Sequence, residues 1–446
     1  MIECTALEIP AEVCRVDRTE PLLLKLGRKR IRNTFATIAS IVVVLGAVLV
    51  PGSTQAGASS PADQGVTPTT IRIGVSVINF TALQAVGVNL NYGNYQDAVK
   101  ALTANMNAHG GVDGRKVVPY FVLANPAVAS STTSSCSELT EDDKVFIVLF
   151  PVYPDCYQQT HDTPVIGGVL PGPLPASVAA DFSLAPPDAA YDPVQLAAFD
   201  KQGAFKRKKV GIYYAADDVS EAKVVQSVLK KLHVDVVLSA ENSVPATDTV
   251  AVDQDAQTIA LRFKDAGVDE VVAVGGTGVA WPRGLLDNQS SYKPPWVATN
   301  ATALTSYVAS ANGKNPYLEN VMTSTPAPPA NQAWMDPAVQ KCAAIVRRAY
   351  PSDPIAGPAA STSSTETYAA VLAACQDLAI FAKIADTAGK NLTVASFTKA
   401  GESLRNVTFP GAGGPVSFGP DQPYAIGKAN ILVYDSRSGT LVPVGG

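Results

Sequence analysis

Lys206–Ala222 reads KRKKVGIYYAADDVSEA. Inside it, Val210–Tyr214 is a short uncharged run of apolar, β-branched and aromatic residues, the pattern of a strand buried on both faces. Asp217-Asp218, Ser220 and Glu221 follow, placing acidic side chains where the first turn of a helix favours them. Val224, Val225, Val228, Leu229 and Leu232 then recur on one helical face. A buried strand leading at once into an amphipathic helix is half of a βαβ unit.

The same alternation extends in both directions. Ile71–Val75, Val145–Phe150, Val234–Leu238, Val271–Val274 and Trp296–Ala298 read as further buried strands. Ala256, Ile259, Ala260 and Phe263 mark a helix between two of them. The expected class is α/β, with mainly parallel sheets flanked by helices, and such sheets take ligands beyond the carboxyl ends of their strands. Pro-rich breaks at Ala185–Pro193 and Thr323–Asn331 bracket a domain-length segment, and a Ser/Thr-rich stretch follows at Ala359–Ser364. The flanks are each short for a domain, so they are expected to combine. Residues 68–190 plus 322–410 would form lobe 1, and 191–321 plus 411–446 lobe 2.

The N-terminal region has a different character. Lys25, Arg28, Lys29, Arg30 and Arg32 precede an apolar run from Phe35 to Val50, then Ala56-Gly57-Ala58. These are the basic, apolar and small-residue parts of a secretory signal. Residues 1–58 are therefore expected to direct export, as a cleaved signal peptide or a retained N-terminal anchor, with 59–67 a flexible leader. The location would be the periplasm, the cell envelope or the exterior.

Composition excludes several classes. Hydrophobic residues are 47% and charged residues 16%, with a net charge of −5, which fits neither a disordered chain nor a nucleic-acid binder. Only His109, His161 and His233 are present, which argues against a His-rich metal site or a His-based triad. No metal and no cofactor are expected. Gly276-x-Gly278 follows a strand, but Trp281 stands where a dinucleotide fingerprint needs its third glycine.

Beyond the leader, four cysteines remain: Cys136, Cys156, Cys342 and Cys375. They allow three pairings. The simplest joins neighbours, Cys136 to Cys156 and Cys342 to Cys375. Helical periodicity supports the second pair, because Val339, Cys342, Ala343, Val346 and Tyr350 share one face and Tyr368, Val371, Leu372, Cys375 and Leu378 another. Buried free thiols are the alternative.

A succession of segments carries a family resemblance. TPTTIRIGVSVINF (67–80) resembles the first strand of type I periplasmic solute-binding proteins, in the branched-chain amino-acid (Leu/Ile/Val) branch of ABC-transporter substrate-binding proteins. NAHGGVDGRKVVPYFV (107–122) and SCSELTEDDKVFIVLF (135–150) are similar to the next turn, strands and helix of that family. KRKKVGIYYAADDVSEA and GVDEVVAVGGTG (267–278) resemble its second lobe, TYAAVLAACQDLAI (367–380) its long helix, and Val407–Val444 its closing hairpin.

The resemblance implies a two-lobed type I periplasmic-binding-protein fold with three hinge crossings. A small molecule would bind between the lobes, which close by hinge motion and dock on an ABC permease in the membrane. It implies a monomer with no catalytic role. The same fold would also serve a ligand-sensing extracellular receptor, and an exported hydrolase is the more distant alternative.

Ligand contacts are expected at the strand ends. In lobe 1 these are Asn79, Phe80 and Thr81, then Pro151, Val152 and Tyr153, then Gly168 and Val169. In lobe 2 they are Tyr214, Ala216 and Asp217, then Gly276 and Thr277, with Trp281 and Asn300. Phe80 and Tyr214 are equally readable as core, Asp217 as a helix cap, and Thr277 as a turn former. Pro151-Val152-Tyr153-Pro154 and Gly168-Val169-Leu170 stand where the family places small hydroxyl residues for a ligand carboxylate. The expected ligand is accordingly amino-acid-like or, given that departure, an apolar or aromatic solute.

Overall fold

The structure is a computed structural model. It describes residues 64–85, 90–125, 128–151, 156–167, 181–244, 248–276, 281–282, 284, 292–310, 316–319, 321–361, 365–420 and 422–444. The expected signal or anchor of residues 1–58 lies outside the described residues. Among those described, no helix is long and apolar enough to cross a membrane.

The first lobe is built on β1 (Thr70–Ile78), β2 (Lys116–Ala124), β3 (Ile147–Leu149), β4 (Val165–Ile166) and β5 (Asp181–Phe182). They form one parallel sheet in the order β2-β1-β3-β4-β5. Helix α1 (Phe80–Ala85) follows β1, α2 (Tyr95–Ala108) leads into β2, and α3 (Ala129–Ser137) leads into β3. Ile71, Ile73, Val75 and Val77 of β1 pack with Ala98, Val99 and Leu102 of α2, and with the later helices Pro337–Ala349 and Ala369–Ala388. Val122, Val148 and Val165 face the other way, onto Cys136, Leu139 and Tyr157. Both faces are covered, and β3 and β4 are apolar throughout, while β1 alternates its apolar residues with Thr70, Arg72 and Ser76. Gly74 is required here, because a Cβ would press on Leu139, Val145 and Val148 at about 3 Å.

The second lobe holds α4 (Asp188–Lys201), β6 (Lys209–Ala215), α5 (Val219–Lys231), β7 (Asp235–Asn242), α6 (Thr249–Asp265), β8 (Glu270–Ala273), β9 (Trp296–Ala298) and β10 (Met322–Thr325). After a short hairpin, β11 (Val407–Thr408) with β12 (Pro415–Val416), the chain closes with β13 (Asn430–Asp435) and β14 (Thr440–Pro443). The second sheet runs β14-β13-β10-β9-β8-β6-β7, parallel from β10 to β7 and antiparallel at β13 and β14. Val271 and Ala273 bury against α6 through Ala256, Ile259, Ala260 and Phe263. Val272 and Val274 bury against Val225 and Leu229 of α5 and Phe199 of α4. The apolar stripes expected for α5 and α6 are the buried ones.

Three crossings join the lobes: Phe182 to Asp188, Thr325 to Ala330, and Ala425 to Asn430. The first leaves the carboxyl end of β5 and the second the carboxyl end of β10. Each spans only a few residues, at no more than about 3.6 Å per residue. The carboxyl edges of the two parallel sheets are therefore held next to one another.

The lobe boundaries differ slightly from those expected at the first crossing, where α4 of the second lobe already starts at Asp188 and not at 191, and more at two other places. Residues 322–325 form β10 and hydrogen-bond into the second sheet, so the break is at the prolines after the strand rather than before it. Val416, Phe418 and Ala425 belong to the first core, with Phe418 against Phe182 and Phe409, so the second lobe resumes only at β13. Disulfides join Cys136 to Cys156 and Cys342 to Cys375, the neighbour pairing.

Candidate functional site

The carboxyl edge of the first sheet carries a pocket of about 350 Å³. Its floor is the end of β1 (Val77, Ile78, Asn79), and its walls come from α1, the start of α2, and the segments around Ile355 and Val371. Asn79 caps α1, its Oδ1 accepting from the Ala82 N–H at 3.0 Å, and its own N–H donates to the Ala124 carbonyl at 2.8 Å. The chain is thereby turned sharply at the strand end, and Phe80 is brought to the rim.

Aromatic rings gather there. Phe80 meets Tyr92 edge-on at 5.5 Å and lies roughly parallel to Tyr95 at 6.5 Å, and Tyr95 meets Phe150 edge-on at 5.4 Å. Phe150 directly follows β3 with φ of +54°, a left-handed conformation unusual for a bulky residue. Such strain is held only where the surroundings fix it and concentrates at binding sites. The stretch Asn91–Asn94 is fastened to the start of helix Ala369–Ala388 by Glu366 N–H to the Asn91 carbonyl (2.8 Å) and Ala370 N–H to the Tyr92 carbonyl (2.9 Å). Gly93 has φ of +86°, and a Cβ there would run into the Thr367 carbonyl. The wall is thus positioned by backbone bonds and not by side-chain packing alone.

The polar lining is mostly neutral: Asn79, Thr81, Asn91, Asn94, Gln96 and Thr367, with Asp353 the single acid and no Lys or Arg. Burial raises the Tyr95 hydroxyl well above its ordinary range, with Asp377 adding to the shift, so it stays a neutral hydrogen-bonding group. Deeper, at the ends of β4 and β5, Asp377 and Asp181 are buried together. Burial pushes Asp377 up to about 8, and burial with the Asp377 charge raises Asp181 well above the carboxylate range. Asp377 packs where Gly167 leaves space, since a Cβ at that glycine, with φ of +78°, would occupy the carboxylate's position.

The second edge is different in kind. Tyr214 is half-buried, while Ala216 and Asp217 are exposed in the short turn before α5. Behind them lies a buried polar network. Gly275 N–H donates to Thr299 Oγ1 (2.9 Å), which donates to Glu221 Oε1 (2.8 Å). Gln195 Nε2 donates to Asp192 Oδ1 (2.8 Å) and the Thr299 carbonyl (3.0 Å), and Ser324 links Gln195 to Tyr191. Asn300 donates to Asp188 at 2.8 Å while capping the next helix. Burial and the neighbouring Glu221 push Asp192 up to about 9, and burial pushes Glu221 up to about 7.

Of the residues expected to touch ligand, Asn79, Phe80 and Thr81 come together in the first-edge pocket. Pro151 is buried beside Phe150. Tyr214, Ala216, Asp217, Gly276 and Asn300 lie on the second edge. Val152, Tyr153, Gly168, Val169 and Thr277 fall outside the described residues. Trp281 is not at the edge. It is fully buried between Tyr213 and Phe263, because its size suits the core under α6. Tyr92, Tyr95, Asn91 and Asn94 were not expected. The signal that marks them is NYGNY (91–95), where a glycine is framed by amides and aromatics.

The family model for periplasmic binding proteins matches residues 70–438, and the chain belongs to that family. A search of curated protein sequences returns no match. Among solved structures, a fatty acid ABC transporter substrate-binding protein from Thermomonospora curvata is similar at 17% identity and a TM-score of 0.54, covering 86% of this chain and 93% of that one. The substrate-binding protein of a branched-chain amino acid transporter from Streptococcus pneumoniae, in complex with isoleucine, is 15% identical with a TM-score of 0.53, covering 84% and 100%. An ABC transporter solute-binding protein from R. palustris, in complex with 4-hydroxybenzoate, is 14% identical with a TM-score of 0.56, covering 84% and 95%. At these identities the likeness is one of fold: the two-lobed type I periplasmic binding protein. Membership of the family makes the chain a ligand-binding solute receptor.

Proposed function

We propose that the protein captures an apolar or aromatic small molecule at the first-lobe edge and, as the lobes close over it, presents it to an ABC permease. The observation that carries this reading is the pocket itself. It has a volume near the lower end for small-molecule sites, aromatic and aliphatic walls, neutral amides and no cation. Phe80 and Tyr95 would pack on the solute, and Asn79, Asn91 and Thr81 would direct its polar atoms. Export to the periplasm or cell envelope accords with the family and with the basic-then-apolar N-terminal sequence. The reading assigns the protein no catalytic step.

Thermal unfolding against a solute panel tests the ligand class. Benzoates, neutral aromatics, branched and linear aliphatics and α-amino acids would be compared. A ligand at about 100 times its Kd adds about 2.7 kcal/mol of stability. Shifts from aromatic or aliphatic solutes are expected. Tight binding of leucine or valine would overturn the ligand class, and silence across the whole panel would overturn the pocket assignment.

A further inference from the structure

On the face of the first sheet away from α2, two π-helical turns carry a second group of chemically capable side chains. One, Glu138–Asp142, continues α3; the other, Cys156–Thr160, follows β3. A π turn closes i→i+5 hydrogen bonds and so widens the chain locally. Cys136 sits near the end of α3, just before the first of these turns, and Glu141 lies within it; Cys156 opens the second turn and His161 directly follows it. Packed together, the two segments bring the ligating atoms of Cys136, Cys156 and His161 within 4.8 Å of one another. Glu141 Oε1 lies 3.7 Å from His161 Nε2. Cys136 is fully buried, Cys156 and His161 are half-buried, and Glu141 reaches solvent, so the cluster is anchored inside and open on one side.

With the Cys136–Cys156 bond closed, both sulfurs are spent on each other. We propose that opening this disulfide creates a site for a zinc-class divalent cation, with the Cys136 and Cys156 thiolates and the His161 imidazole as ligands and Glu141 or water as the fourth. Two thiolates and one imidazole with an open fourth position suit a tetrahedral, thiophilic metal, whose ligand atoms stand about 3.5 Å apart. The sulfurs have only to separate, and the ring and carboxylate to close in slightly. The chemistry balances in two steps. A two-electron reductant, in the test a phosphine, takes the disulfide to two thiols and leaves as phosphine oxide with oxygen from water. The cation then displaces two protons from the thiols, and His161 binds through a neutral nitrogen. The cross-link and the metal would thus be alternative clamps on the same pair of turns, selected by the redox state of the surroundings. This inference is independent of the solute assignment, because the cluster packs on the opposite face of the sheet from the β1–α2 core.

The test is a Co²⁺ titration of the full chain, oxidised and phosphine-reduced, compared with Cys136→Ser/Cys156→Ser. The difference between reduced wild type and variant isolates this site from the other cysteines. Expected is one additional Co²⁺ per reduced chain, with a thiolate-to-cobalt charge-transfer band that the variant and the oxidised chain lack. Zn²⁺ should bleach the band, and His161→Gln, a change of similar size at a half-buried position, should weaken Co²⁺ binding at least tenfold while keeping the far-UV dichroism. Equal titrations of wild type and double variant overturn the proposal. So does a reduced chain that unfolds or shows no band, or a His161→Gln chain that binds as wild type does; the last comparison holds even if the double variant fails to fold.

Discussion

The two carboxyl edges face the same crossings but are furnished differently. The first has rings at its rim and neutral amides around a pocket, with its buried acids set deeper. The second has an exposed turn backed by a hydrogen-bonded network of Asp188, Asp192, Gln195, Glu221 and Thr299. Rings with open space beside them are surfaces for a ligand. Side chains already bonded to one another fix the start of α4 and the sheet edge. On the proposed reading this is a division of labour: the first edge would hold the solute, and the second would keep a rigid shape for closure.

Trp281→Ala should have the largest effect of the changes that separate these roles. Removing a ring buried between Tyr213 and Phe263 is expected to cost about 3–5 kcal/mol in stability. Urea unfolding reads this directly, and a loss below about 1 kcal/mol would return Trp281 to the list of ligand contacts.

Phe80→Ala should show the opposite profile. Solute affinity is expected to fall at least tenfold, about 1.4 kcal/mol, with a smaller loss in unfolding stability because the ring is only half-buried. Calorimetric titration of the best panel ligand measures it. Unchanged affinity would move the solute off the first edge.

Both lobes bury acids, so pH is expected to weaken both. Asp377 at about 8, Asp192 at about 9 and Glu221 at about 7 all lie above their unfolded values. Between the two values the folded chain holds protons that the unfolded chain has released. The stabilisation is therefore complete below the ordinary carboxyl range and is lost as pH rises through about 7 to 9. Tm should be higher at pH 5 than at pH 9, and Asp377→Asn should flatten part of that slope. A Tm that rises across this window would mean these acids are ionised in the folded chain.

The smallest effect is expected at Asp217, exposed in the turn before α5. Asp217→Asn should leave stability within about 0.5 kcal/mol and solute affinity unchanged. A large affinity loss would give the second edge a direct ligand contact.

The fold was readable where periodicity is strong. The strand at Val210–Tyr214 and the stripes on α5 and α6 were plain because both faces of each sheet are apolar. The prolines at 326–329 were visible, but not that Met322–Thr325 before them belongs to the second sheet, since a four-residue strand takes its place from its partners β9 and β13. Asn79 and Phe80 were legible as a strand end. Tyr95 was not, because its place at the site depends on contacts with Phe80 and Phe150, far apart in sequence. Trp281 misled for the reverse reason: near a strand end in sequence, it folds back into the core.

A crystal structure with the strongest panel ligand tests the central claim most directly. The account predicts the solute's apolar part within about 4.5 Å of Phe80 and Tyr95, its polar atoms toward Asn79 or Asn91. A ligand seated on the second edge, against Asp217 and Tyr214 and clear of Phe80, would contradict it.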